Sequence, residues 1–96
     1  MKHITSIETA VRIYTMHQTL TSKEIAELFG ITTSAARQYL NRIKRLQIEA
    51  GIPLFEVHAV DTTFAYEKWG LDIKDLERRY RKAVALGFVG KEVTTS

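Results

Sequence analysis

The segment from Ser22 to Asn41, SKEIAELFGITTSAARQYLN, constrains the fold of this chain more than any other stretch. Ile25 and Phe29 lie four residues apart, so both fall on one face of a short helix. Gly30 follows directly, as expected where a helix ends with a positive φ. The segment therefore predicts a helix that stops at Gly30 and a chain that changes direction there.

A second helix is expected immediately after that glycine. Ile31 re-enters the core, and Thr32 and Thr33 are suitable N-cap residues. Ala26, one helical turn before the glycine, is small enough for two helices to cross closely. Apolar residues of the second helix return to the same core at helical spacing, namely Ala36, Tyr39 and Leu40. The arrangement is typical of a helix-turn-helix, although a helix–glycine–helix corner in any all-α protein shares part of it.

The length and composition limit the chain to one small domain, residues 1–96. The 96 residues, of which 45% are apolar, are enough for one core, and we expect no separate effector-binding domain within this length. No apolar run approaches the roughly 18 residues of a membrane span, and the N-terminus lacks the apolar segment of a signal peptide. Cysteine is absent, which excludes disulfides and thiolate metal sites, so we expect a cytoplasmic protein.

The charge distribution is more informative than the net charge of +3. Between Glu27 and Glu49 the chain has no acidic residue. The same window contains four cations, which are Arg37, Arg42, Lys44 and Arg45. This excess of positive charge falls on the second helix of the motif and indicates a nucleic-acid partner.

Capping patterns predict where the first two helices begin. Thr5 with Glu8, and Thr21 with Glu24, have the spacing of a capping box. We therefore expect one helix from about residue 6 to residue 18 and another just after Thr21.

The third helix is predicted from about Thr33 to Glu49, because Gly51 and Pro53 follow as stop signals. At 100° per residue, its side chains separate into an apolar face and a polar face. The apolar face is expected to hold Ala36, Tyr39, Leu40, Ile43, Leu46 and Ala50.

Beyond Leu54 the pattern becomes strand-like. Residues 54–60 and 64–69 are rich in β-branched and aromatic side chains, and residues 61–63 predict the turn of a β-hairpin. A fourth helix is expected from Asp72 to about Leu86, with an apolar stripe that either covers the core or makes a dimer contact.

The stretch TSKEIAELFGITTSAARQYLNRI, residues 21–43, resembles the N-terminal DNA-binding domain of the biotin operon repressor type. That type belongs to the winged helix-turn-helix superfamily of bacterial and phage transcriptional regulators. The likeness covers about residues 5–69 and implies sequence-specific binding of double-stranded DNA, with the third helix in the major groove and the hairpin beside the backbone. We therefore predict a mainly α fold with a small β-hairpin, a winged helix-turn-helix over 5–69, and a C-terminal helix over 72–87.

The polar face of the third helix carries the residue types that read DNA. Its N-terminal half reaches base edges, where Arg37 suits guanine and Gln38 or Asn41 suits adenine. Cations further along suit phosphates, as do the free N–H groups at the start of the second helix. The predicted DNA-binding residues are Ser22, Lys23, Thr33, Ser34, Arg37, Gln38, Asn41, Arg42, Lys44 and Arg45.

Catalysis has little support in the sequence. His3, His17 and His58 are widely spaced and show no metal-ligand arrangement, and no phosphate loop or nucleophile motif occurs. We expect no enzyme activity, no cofactor, no membrane partner and no small-molecule ligand. A second basic cluster lies in the predicted fourth helix and consists of Lys74, Arg78, Arg79, Arg81 and Lys82. We interpret it either as a solvated helix face or as a further contact for DNA or an acidic partner.

Three functions are compatible with these patterns. The first is a small transcriptional regulator that acts as a homodimer on double-stranded DNA. The second is a winged-helix protein-interaction adaptor, favoured by the hairpin tip, where residues 60–64 include Asp61 and no lysine or arginine. The third is an architectural or recombination-directing DNA-binding factor of a mobile element. The acid-free third helix favours the two DNA-binding functions over the adaptor.

Overall fold

A computed structural model describes residues 4–54 and 56–87 of the chain. The fold is mainly helical, with one small antiparallel sheet in the described part. In chain order the elements are α1 (Ile7–Met16), β1 (Thr19–Leu20), α2 (Ser22–Phe29), α3 (Thr33–Glu49), β2 (Val60–Asp61), α4 (Thr62–Lys68) and α5 (Ile73–Ala85).

The N-terminus of α1 differs from the predicted capping box. Ser6 is the N-cap, and its hydroxyl oxygen accepts a hydrogen bond from the Thr9 amide at 3.0 Å. Thr5 instead contacts the end of α2, where its amide donates to the Leu28 carbonyl at 2.8 Å and its hydroxyl donates to the Glu27 carbonyl at 3.1 Å. The prediction for Thr5 was wrong because its hydrogen-bonding groups satisfy carbonyls that the last turn of α2 leaves unpaired.

The corner between α2 and α3 follows the sequence prediction. Glu24 accepts a hydrogen bond from the Thr21 amide at 2.7 Å, which confirms the second capping box. Gly30 ends α2 in the left-handed region with φ 66°, and the Ile31 amide donates to the Ala26 carbonyl at 3.1 Å. The Thr32 side chain then caps α3, whose predicted bounds are confirmed.

The predicted hairpin of residues 54–60 and 64–69 does not form. Residues 62–68 are the helix α4, which begins where the Asp61 carboxylate accepts a hydrogen bond from the Phe64 amide at 2.8 Å. The prediction failed because a short apolar run does not distinguish a strand from a buried helix, and Phe64, Ala65 and Tyr66 are all buried. Phe55, in the first predicted strand, lies outside the described residues.

The observed sheet joins distant parts of the chain. β2 pairs antiparallel with β1, with Thr19 opposite Asp61 and Leu20 opposite Val60. The Thr62 hydroxyl extends this connection by donating to the His17 carbonyl at 2.7 Å. The sheet therefore anchors the chain after α3 to the chain before α2.

The core is formed mainly by α1, α2, α3 and α4. Tyr66 is 1% exposed, and its hydroxyl donates to the Ala10 carbonyl at 2.6 Å. Burial raises the pKa of Tyr66 above its ordinary value, and the neighbouring Tyr14 adds to the shift. The Phe29 and Trp69 rings pack edge to face, with centroids 5.0 Å apart, so the half-buried Trp69 packs against the core.

The C-terminal helix covers one side of this core. α5 begins after Asp72, whose side chain accepts hydrogen bonds from two amides of the first turn, and it packs along α1. Leu76 is its one buried residue in the described part, whereas Leu86, just beyond its end, is 59% exposed. The predicted helix is thus confirmed, and its second half is only partly covered.

In residues 4–54 and 56–87, the helices lack the combination of length and apolar character that crossing a membrane requires.

Candidate nucleic-acid interface

One side of α3 is packed and the opposite side is free. Its buried positions are Ala36, Leu40, Ile43 and Gln47, which recur at helical spacing and face α2, α4 and β2. This packing fixes the rotation of the helix about its own axis. The polar side chains on the opposite face therefore point away from the core.

The residues predicted to meet base edges share this free face. Ser34, Arg37, Gln38 and Asn41 are all exposed and recur at intervals of three and four residues, so they form one stripe along the first half of α3. Thr33 is also exposed, in the first turn of the helix. The structure therefore brings the five predicted base-reading residues to one side of the molecule.

The predicted phosphate-binding residues lie around this stripe. Arg42 and Arg45 are exposed and Lys44 is half-buried, all on α3. Ser22 and Lys23 are in the first turn of α2. The ion pairs of the described residues include none of the five cations predicted to bind DNA, which are Lys23, Arg37, Arg42, Lys44 and Arg45. Glu27, in the last turn of α2, is paired with Arg12. The surface therefore keeps its positive charge.

A cleft of about 560 Å³ lies where α3, the start of α2 and a short segment after α3 meet. That segment comprises Glu56, Val57, His58 and Ala59 and is called the 56–59 segment below. Of the predicted DNA-binding residues, Ser22, Arg37, Asn41 and Lys44 line the cleft, whereas the other six lie outside its lining. The remaining lining residues are Thr21, Leu40, Val57 and His58.

Val57 and His58 were not among the predicted site residues. His58 is exposed, but the next two residues, Ala59 and Val60, are only 2% and 1% exposed. Their burial fixes where the segment re-joins the core. The sequence contains no periodic signal for this placement, because it depends on contacts between segments far apart in the chain.

Gln47 connects α3 to both flanks of the 56–59 segment. Its side-chain amide nitrogen donates to the Pro53 carbonyl at 3.0 Å, and its side-chain oxygen accepts from the Asp61 amide at 3.0 Å. Gln47 is 1% exposed, whereas Ala50, predicted on the buried face, is exposed. Helical spacing alone places Gln47 on the same face as Ala36, Leu40 and Ile43. The sequence could therefore have indicated that Gln47 is buried, although not which groups it binds.

The polar face of α3 also carries an apolar side chain. Ile48 is 57% exposed. Around the helix axis its side chain points between those of Arg37 and Asn41, and along the axis it lies two to three turns beyond them. Val57, on the cleft, is 65% exposed. The surface is therefore basic and polar around its first turns and partly apolar towards its end.

The electrostatics of the cleft are dominated by cations. The described residues that line it include Arg37, Lys44 and His58 and no carboxylate. Glu24, in the first turn of α2, has a lowered pKa. Partial burial opposes its ionisation, but two effects outweigh it: the hydrogen bonds from Thr21 and the electrostatic attraction of the nearby His17.

The second basic cluster is partly neutralised. Asp75 pairs with Arg78 and, at 2.9 Å, with Arg79. Lys74, Arg81 and Lys82 are exposed on the same helix. Within the described residues, no group of three or more histidine, aspartate or glutamate side chains is arranged to hold a metal ion.

Comparisons with protein-family models, curated proteins and solved structures found no match to this chain.

Proposed function

We propose that this protein is a helix-turn-helix protein that binds double-stranded DNA in a sequence-specific manner and regulates transcription, with α3 in the major groove. The observation that carries the proposal is the exposed stripe of Ser34, Arg37, Gln38 and Asn41 on a helix that has no carboxylate before Glu49. A major groove admits one α-helix, and these side chains supply the donors and acceptors that distinguish base pairs.

Each part of the surface has a role in this proposal. Arg37 makes a bidentate contact with guanine, and Gln38 or Asn41 contacts adenine. Arg42 and Arg45 contact phosphates beside the groove, which supplies affinity that depends on salt but not on sequence.

The winged form of the fold has a hairpin after the recognition helix. In this chain we assign the role of the wing to the 56–59 segment, because Val57 and His58 line the same cleft as Arg37 and Lys44. The wing would then be a short loop instead of a hairpin.

The proposal includes a homodimer, because one recognition helix covers about half of a typical operator. The candidate contact is the second half of α5, where Tyr80, Ala83 and Val84 are only half-buried and Leu86 is 59% exposed. Light scattering after gel filtration is expected to show about twice the chain mass of 11.0 kDa. A species of chain mass alone at working concentration would contradict the dimer.

Selection from a randomised duplex pool tests the central claim. Wild-type protein is expected to enrich a defined motif, and Arg37→Ala/Asn41→Ala is expected to lose that motif while some low-salt affinity remains. Arg81→Ala is the control, because it removes one positive charge from α5 and leaves α3 intact. Equal enrichment by wild type and the double variant, or no binding at low salt, would refute the proposal.

A second candidate is a protein-interaction adaptor, which the exposure of Ile48 and Val57 favours. In that case Ile48→Ser would abolish capture of a protein partner, and the randomised pool would give no motif. An architectural factor of a mobile element would use the same DNA surface, and a bending assay on the selected motif distinguishes it from a promoter-binding regulator.

A further inference from the structure

We infer that Gln47 is a positioning residue that holds the 56–59 segment across the cleft from α3, so that His58 contacts a backbone phosphate of the DNA bound by Arg37 and Lys44. The inference rests on the proposed function and adds to it a second contacting element, one specific contact and the residue that orients it.

The first step is the placement of the segment. Gln47 is 1% exposed, and its two hydrogen bonds of 3.0 Å hold Pro53 on one side of the segment and Asp61 on the other. A buried side-chain amide that satisfies two backbone groups from separate positions restricts both flanks at once. The segment therefore keeps a defined position relative to α3.

The second step is the chemistry of the cleft. The cleft is lined by Arg37 and Lys44 of α3, by His58 and by Ser22, whereas the Thr21 hydroxyl at its lining donates to the Glu24 carboxylate at 2.6 Å. Cations, hydroxyls and an imidazole, without a carboxylate among the described lining residues, match a phosphodiester group, which accepts hydrogen bonds and carries negative charge.

The third step is the continuity of the cleft with the reading face. Arg37 and Asn41 belong both to the exposed stripe and to the cleft lining. A duplex whose bases meet the stripe therefore has backbone beside these two residues. The nearest phosphate group is then assigned to Lys44 and His58, because Arg37 and Asn41 contact bases.

The experiment measures DNA affinity on the motif selected by the wild type. His58→Ala is expected to weaken binding about tenfold, the usual size of a lost hydrogen bond to a charged group. Sequence preference should be unchanged, because a phosphate contact carries no base information. His58→Gln, which retains an N–H donor, is expected to recover most of the affinity. An unchanged affinity in His58→Ala would overturn the inference.

Coupling between the two residues tests the positioning role. In a Gln47→Met background, His58→Ala is expected to have an effect of less than about threefold, because the segment is no longer held. Leu76→Ala is the control background, because it destabilises the core at α5 and leaves the two hydrogen bonds of Gln47 to Pro53 and Asp61 intact. If His58→Ala retains its full effect with Gln47→Met, Gln47 is only a structural residue.

The outcomes separate this inference from the proposed function. If the wild type enriches no motif, the proposed function fails first. If the wild type enriches a motif and His58→Ala binds it equally well, only the inference fails. Saturable binding of inorganic phosphate at His58, without any effect of His58→Ala on DNA affinity, would also overturn the inference, because the cleft would then bind free phosphate instead of the DNA backbone.

Discussion

Replacing Gly30 by alanine tests the corner that sets the direction of α3. Gly30 has φ 66°, and a Cβ atom at this position would lie 2.8 Å from Cγ2 of Thr5. Two penalties therefore combine: the strain of an alanine in the left-handed region and the overlap with a neighbouring methyl group. Gly51→Ala separates them, since Gly51 has φ 79° and a Cβ there would meet nothing within 4 Å.

The two penalties have different expected sizes. An alanine with left-handed backbone costs about 1–2 kcal/mol, and the loss of unfolded-state freedom offsets this by about 0.4–1 kcal/mol, so Gly51→Ala should cost about 1 kcal/mol. The close contact at Gly30 adds an overpacking cost of about 1–3 kcal/mol. We therefore expect Gly30→Ala to lower the free energy of unfolding by about 2–4 kcal/mol. For a domain of this size, that lowers the Tm by roughly 10–25 °C.

The assay is urea denaturation followed by the helical circular dichroism signal, with the free energy of unfolding extrapolated to water. A Thr5→Ser change removes Cγ2 and keeps the hydroxyl that donates to the Glu27 and Leu28 carbonyls. In that background, Gly30→Ala should cost no more than Gly51→Ala. Equal costs for Gly30→Ala and Gly51→Ala in the wild-type background would refute the argument, because they would mean that Thr5 does not pack against the corner.

Three further predictions concern individual hydrogen bonds. Tyr66→Phe removes the hydrogen bond from the buried hydroxyl to the Ala10 carbonyl and should cost about 0.5–1.5 kcal/mol in urea denaturation, whereas an unchanged midpoint would contradict this bond. Thr21→Ala removes the side chain of the capping box and should cost about 1 kcal/mol, most of which Thr21→Ser should restore. Because the pKa of Glu24 is lowered from 4.5 in the folded state, its contribution to stability is present above that value and is lost as pH falls through the folded-state pKa. Glu24→Gln should therefore flatten the acid side of the stability profile measured by thermal melts, and identical profiles would contradict the shift.

Helix boundaries with local signals were predictable from the sequence. The capping box at Thr21, the left-handed Gly30 and the caps at Thr32 and Asp72 are each encoded within a few residues, and the structure contains all of them. The same holds for the exposed stripe on α3, because a regular helix with one apolar face determines which residues face away from the core.

The 54–69 region was not predictable in the same way. Its apolar run is compatible with a strand or a buried helix, and the choice depends on Asp61, which caps α4, and on Val60, which pairs with Leu20 far earlier in the chain. Thr5 is a similar case, since its spacing to Glu8 fits a capping box but its hydrogen bonds go to α2. The Thr5 error arises where a distant partner outweighs a local preference, whereas in the 54–69 region the local cap at Asp61 acts together with the distant pairing of Val60.

The sequence by itself determined α1, α2, α3 and α5, the turn between α2 and α3, and the polar face of α3 with no acid before Glu49, because each of these follows from local backbone preference and helical spacing. Only the tertiary structure decided that residues 62–68 form a helix, that Gln47 binds Pro53 and Asp61, and that His58 lies on the same cleft as Arg37. Those features depend on hydrogen bonds and packing between segments that are far apart in the chain, and no local pattern specifies which distant groups will meet.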